Sequence, residues 1–203
     1  MQYILDFINQ TCRIFRIDDS HGIDHSIKTL MWSLKISKDI KMTYRECQII
    51  KIACLLHDMC DKKYMDEKKG VKRIRDFLVK LDLDKGMIER IVFIITTMSY
   101  SKVVKDGYPT FYDKSIEKCY HIVRNSDLLC SYDPERCIGY NVRCGGTRKS
   151  GILRMFEIFE NRVLRLLKDR YIFDYAKEYA EKLHTDSLSS LEKYKIELKL
   201  EKD

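Results

Sequence analysis

The chain has 203 residues, 45% hydrophobic and 34% charged, with 38 Lys and Arg against 31 Asp and Glu for a net charge of +7. That balance excludes a disordered chain and supplies a core large enough to fold without staples. Eight glycines and two prolines are under half the usual ~12% share, which argues against Gly-rich phosphate loops, β-sandwiches and propellers and for long helices. The basic excess attracts phosphates, nucleic acid or acidic lipid without choosing among them. The longest apolar run, Ile91–Met98, is about half of the ~18 residues that a membrane span needs. The N-terminus shows no positively charged leader pattern. We therefore expect a cytoplasmic protein with no membrane partner.

Helix 1 is expected over 2–15, with Ile4, Phe7, Ile8 and Phe15 on one side. Helix 2 follows over 22–39, with Ile27, Leu30, Leu34 and Trp32 turned inward. The run Thr43-Tyr44-Arg45-Glu46 is a capping box and opens helix 3, which is apolar almost all round and therefore central. Helix 3 ends near Met59, and a polar loop runs over 61–66. Helix 4 carries Val71, Ile74, Phe77, Leu78 and Leu81, and Asp84 caps helix 5. Residues 99–112 contain Gly107 and Pro109 and read as a long loop. Helix 6 spans 115–130, Pro134 begins a short helix 7, and 145–151 reads as a basic, flexible turn. Helices 8 and 9 cover 152–168 and 173–200, the last bearing Leu188, Leu191 and Leu198 as a brace or a seam for a homo-oligomer. No repeat or linker interrupts the pattern, so the expectation is a single all-α domain over 1–203. The eight cysteines form no CxxC pair, and we read them as reduced core or interface thiols.

Chemistry concentrates in few places. The five histidines are 21, 25, 57, 121 and 184. His21 and His25 stand four residues apart on one helix face. His57-Asp58 closes the most apolar helix, where two ionisable groups are out of place. Asp127 sits among Ile122, Val123, Leu128 and Leu129, so it must be paired, protonated or metal-bound. Taken singly, each has an ordinary reading: His57 as a hydrogen-bonded core residue, Asp127 as the partner of Arg124, His21 as a loop residue.

As a set, these residues resemble the HD-domain superfamily of metal-dependent phosphohydrolases, in particular its small bacterial members. Ser20-His21-Gly22-Ile23-Asp24-His25 is similar to the first motif, whose second His ligates metal. Ala53-Cys54-Leu55-Leu56-His57-Asp58 followed by Asp61 is similar to the central motif, Met98-Ser99-Tyr100-Ser101-Lys102 to a Ser-aromatic-Ser-Lys segment, and Asn125-Ser126-Asp127 to the last Asp motif. The stretches 132–146 and 159–182 are similar in their arrangement of helices. Gly22 replaces a frequent Asp, Asn125-Ser126 replaces Asp-Ala, and Leu128 replaces an Arg. These departures spare the ligands and bear on substrate and rate.

The resemblance implies an HD-type helical bundle with its metal-binding core at about 18–135 and the helices at about 150–200 as a brace. It implies one divalent ion (Mn, Mg, Fe, Ni or Zn) on His25, His57, Asp58 and Asp127, a donor set suited to such ions. Asp58 and Asp61 would be the catalytic carboxylates. His21, Lys62, Lys63, Lys102 and Arg124 would contact substrate. His121, six residues before Asp127, lies about 240° round the helix and should point elsewhere, so a single ion is expected. The implied activity is hydrolysis of a nucleotide or similar small phosphorylated metabolite. The alternative is a non-catalytic HD-fold protein that binds nucleotide or RNA, with nucleic acid the less favoured partner.

Overall fold

The computed structural model describes residues 1–168 and 172–200, so 169–171, inside the 159–182 stretch, lie outside it. The described residues form ten α-helices and two 3-10 turns and no strand, as the composition requires. The chain divides into two compact units, Met1–Asp127 and Leu128–Asp203, with the boundary inside a helix.

The first unit is built on α3 (Tyr44–Leu56). Its capping box is formed: Thr43 accepts from the Glu46 amide at 3.2 Å, and the Glu46 carboxylate accepts from the Thr43 amide at 2.7 Å. Ile49, Ile50, Ile52, Ala53, Cys54, Leu55 and Leu56 are all buried, so α3 is enclosed over its C-terminal half, while Tyr44, Arg45 and Cys47 at its start are exposed. Around it pack α1 (Gln2–Phe15), α2 (Ile23–Ser37) and α5 (Lys85–Thr97), while α4 (Glu67–Lys80) packs on α5. Arg16 adopts left-handed backbone at φ 54 and ends α1. Asp84 caps α5 as expected, accepting from the Met87 amide, and Asp66, at the end of the polar loop, caps α4 by accepting from the Lys69 amide.

Helix α2 corrects the sequence reading. Its buried positions are His25, Ser26, Thr29, Ser33 and Ile36. Ile27, Met31 and Leu34, at 37%, 53% and 62% exposure, face outward, and Leu30 and Trp32 are half-buried. Thr29 and Ser33 donate to the carbonyls of His25 and Leu30 at 2.9 and 2.7 Å, so these two short polar side chains go inside with their hydroxyls satisfied, whereas the buried Ser26 Oγ makes no hydrogen bond among the described residues.

Two further segments differ from expectation. The stretch 99–112 contains a short helix, α6 (Tyr100–Asp106), ended by Gly107 at φ 77. The basic turn at 145–151 is half helix: Thr147 and Ser150 form a reciprocal capping pair that opens α9 (Arg148–Asn161). The remainder of the expected helix 8 is a 3-10 turn, Val163–Arg165, and helix 9 begins with another, Asp174–Ala176, before α10 (Lys177–Leu200). In the second unit α8 (Pro134–Arg143) packs on α9, and α9 on α10. Between α6 and α8 runs α7 (Lys114–Cys130), which carries Asp127. Among the described residues no helix is long and apolar enough to cross a membrane. Cys54, Cys60, Cys119 and Cys130 are buried, and no disulfide joins any of the eight cysteines.

Candidate metal centre

Three segments of the first unit deliver four side chains to one place. His25 comes from the first turn of α2. His57 is the residue at which α3 ends, and the chain turns there through a bond from the Met59 amide to the Leu56 carbonyl at 3.0 Å. Leu55, Leu56, Met59 and Cys60 are fully packed on either side, so the turn that carries His57 and Asp58 is anchored in the core. Asp127 ends the unit on α7.

His25 Nε2 lies 3.0 Å from His57 Nε2 and 3.3 Å from both Asp58 Oδ2 and Asp127 Oδ1. His57 Nε2 lies 3.3 Å from Asp58 Oδ2 and 3.7 Å from Asp127 Oδ1. The donor atoms of His25, His57 and Asp58 fall within 4.8 Å of one another, and Asp127 adjoins both imidazoles. Both imidazoles are buried.

The chemistry of this set fits a divalent cation. His57 Nδ1 is 2.8 Å from the Cys54 carbonyl and donates to it, which turns the Nε2 lone pair toward the cluster, the arrangement that orients an imidazole ligand. Asp58 Oδ2 is buried and makes no hydrogen bond. Two imidazole nitrogens at 3.0 Å with two carboxylates beside them need a shared positive charge. In the bare cluster a proton supplies it. Burial opposes a charged His57, but Asp58 and Asp127 outweigh burial and lift it to about 9. Burial likewise opposes a charged Asp127, and His25 and His57 overcome it and hold the carboxyl well below the usual range.

A cavity of about 90 Å³ opens beside the cluster, lined by His57, Asp58, Asp127, Cys60, Asp61, Lys62, Glu67, Ser99, Ser101 and Lys102 among others. Asp61 is thus at the wall, with Oδ1 accepting from the Lys63 amide at 2.8 Å. Lys102 pairs with Glu67 and donates to the Thr96 carbonyl at 2.6 Å. The Lys63 ammonium lies 5.0 Å over the Tyr64 ring, outside the lining. Arg124 is 1% exposed, with its guanidinium 5.4 Å over Tyr108, and is not among the lining residues. His121 packs among Tyr108, Phe111 and Tyr120, where burial lowers it to about 4.

His21 lies with its ring 6.2 Å from that of His25. Its Nδ1 is met by the hydroxyls of Ser20 at 2.7 Å and Tyr64 at 3.0 Å. Asp18 accepts from both hydroxyls. Burial works against the charged Asp18, but the Ser20 and Tyr64 bonds prevail and bring it to about 2. Sequence reasoning missed the roles of Asp18 and Tyr64, which meet across 46 residues of chain with no local signal. Glu67 was also missed.

The helical arrangement is one already seen in solved bacterial proteins. The chain aligns over 96% of its length with 93% of Bacillus subtilis YpgQ, at TM-score 0.71 and 19% identity. YpgQ in complex with ADP gives TM-score 0.69 and 21% identity, covering 96% of this chain and 97% of that one. A Lactobacillus plantarum protein gives TM-score 0.72 at 18% identity over 98% of this chain and 96% of its own. The superpositions show a shared fold, and identities this low show no more than that. No family model and no curated protein sequence matches the chain.

Proposed function

We propose that this chain is an HD-type, metal-dependent phosphohydrolase acting on a nucleotide or a similar small phosphorylated metabolite. The observation that carries the reading is the meeting of His25, His57, Asp58 and Asp127 at one buried point beside a cavity lined by lysines. YpgQ, whose fold the chain shares, has been solved in complex with ADP, which supports a nucleotide as the substrate class. The four residues would hold one divalent ion, since His121 is engaged elsewhere. The ion, when bound, acidifies a water and neutralises a phosphoryl oxygen.

The rest is the work of the chain. Asp61, fixed by the Lys63 amide, orients the attacking water and accepts its proton. Lys62 and Lys102 hold phosphoryl oxygens in the cavity. His21, set by Ser20 and Tyr64, hydrogen-bonds the phosphate from the α2 side. Lys63 and Arg124, engaged with aromatic rings, fall outside the substrate set. Positioning and charge stabilisation are most of what phosphoryl transfer requires.

The test is release of phosphate or pyrophosphate from a nucleotide panel by stripped protein reloaded with each ion. Release should depend on metal and vanish in His57→Ala. Folded, metal-loaded protein that releases neither product overturns the proposal. Tight nucleotide binding without release, unchanged by His57→Ala, would identify a binding module.

A further inference from the structure

Lys102 stands where two cavities meet. The inner one holds the ligand residues His57, Asp58 and Asp127, and the outer one, about 390 Å³, is lined by Glu67, Lys68, Val71, Thr96 and Lys102. Glu67 and Lys102 line both. At about 90 Å³ the inner space is the smaller of the two, and a substrate with its phosphoryl group at the ligand residues and its remainder in the outer space passes the wall that this pair forms.

The ammonium of Lys102 has three N–H groups. One is on the Glu67 carboxylate and one on the Thr96 carbonyl, and the third is left for a ligand. A carboxylate already on the ammonium cancels its charge and repels an incoming anion. It is not needed to place the side chain, because the Thr96 carbonyl anchors Nζ at 2.6 Å.

We propose that Glu67 is an internal competitor for Lys102: its carboxylate occupies the ammonium that would hold substrate phosphate and yields it when phosphate enters. The inference rests on the phosphate reading of the inner cavity. Its consequence is weaker retention of phosphate product than the bare lysine would give. Glu67 is a positioning residue here, acting on substrate through Lys102.

The test is calorimetric titration of the manganese-loaded protein with methylphosphonate, a tetrahedral dianion at pH 8.5 whose P–C bond this chemistry leaves intact. Glu67→Gln should tighten binding about tenfold, the scale of one charge contact, with manganese affinity and circular dichroism unchanged. Lys102→Met should weaken it. In the Lys102→Met background Glu67→Gln should tighten binding much less, leaving only the direct repulsion of the carboxylate, because the cycle isolates action through the lysine. Unchanged or weaker binding in Glu67→Gln overturns the inference, as does equal tightening with Lys102 absent. Wild-type protein that holds manganese but no methylphosphonate overturns the phosphate reading itself, and this inference with it.

Discussion

A single methyl group added at Gly70 tests how the turn after His57-Asp58 is held. Gly70 lies in the first turns of α4, where alanine would ordinarily stabilise a helix by about 1 kcal/mol. Here a Cβ would stand 2.8 Å from Cys60 Cα, Cys60 Cβ and Met65 Sδ. The methionine can swing aside, but Cys60 is buried and its Cα is backbone. Overpacking of this kind costs about 1–3 kcal/mol, and a backbone atom at 2.8 Å that cannot swing aside puts this case in the upper half of that range, so against the helix gain the net effect of Gly70→Ala is a loss of about 1–2 kcal/mol, or about 2–8 °C in Tm. Cys60 sits between Asp58 and Asp61, so the displaced backbone should also weaken metal binding. Gly139 in α8 is the control: its Cβ would meet Arg143 Nη1 at 3.7 Å, an ordinary contact, and Gly139→Ala should stabilise. Thermal and denaturant melts with a manganese titration on both variants decide the matter. A Gly70→Ala protein as stable as wild type with unchanged metal affinity would refute the close approach as the reason for glycine.

In the metal-free protein His57 should titrate near 9 by NMR. Its folded value lies above its unfolded ~6.5, so its contribution to stability is full below about 6.5 and lost as pH rises through about 9. The same proton competes with metal at Nε2, so metal affinity should climb with pH up to about 9, with proton uptake or release read by calorimetry in two buffers. Asp127→Asn should bring the His57 midpoint down and weaken metal binding at least tenfold; an unmoved midpoint would separate Asp127 from the cluster. Glu46 is buried, which alone would raise its pKa, but Lys118, the Thr43 amide and Ser115 bring it to about 2. Its folded value is depressed, so its stabilisation is present above about 4.5 and lost as pH falls toward 2. Glu46→Gln should cost about 1–3 kcal/mol at neutral pH and flatten that acid limb in denaturant melts.

The helices with clear periodicity and good caps were legible: the Thr43 box, the Asp84 cap and the apolar, central α3 follow from local chemistry. The resemblance that assembled His25, His57, Asp58 and Asp127 picked out residues that do converge in space. Lys63 and Arg124 show the limit. Charge says nothing of direction, and an Arg that can lie over Tyr108 can be enclosed. Helix α6 has only one buried residue, Val103, so no periodic stripe announced it. The start of α9 was obscured because Ser150 takes the place that Glu or Gln occupies in the usual capping box.

The inverted α2 has a consequence for how the centre is kept in register. Oily surface does not dictate how this rod is rotated about its own axis, since Ile27, Met31 and Leu34 point to water. Spinning it half a turn would hide those three and swing His25 away from His57. What opposes that rotation is the cluster itself together with the fit of Ser26, Thr29 and Ser33 and the single buried apolar residue of that face, Ile36. The ligands therefore act as a keystone: occupancy of the centre fixes the rod that delivers its own first imidazole.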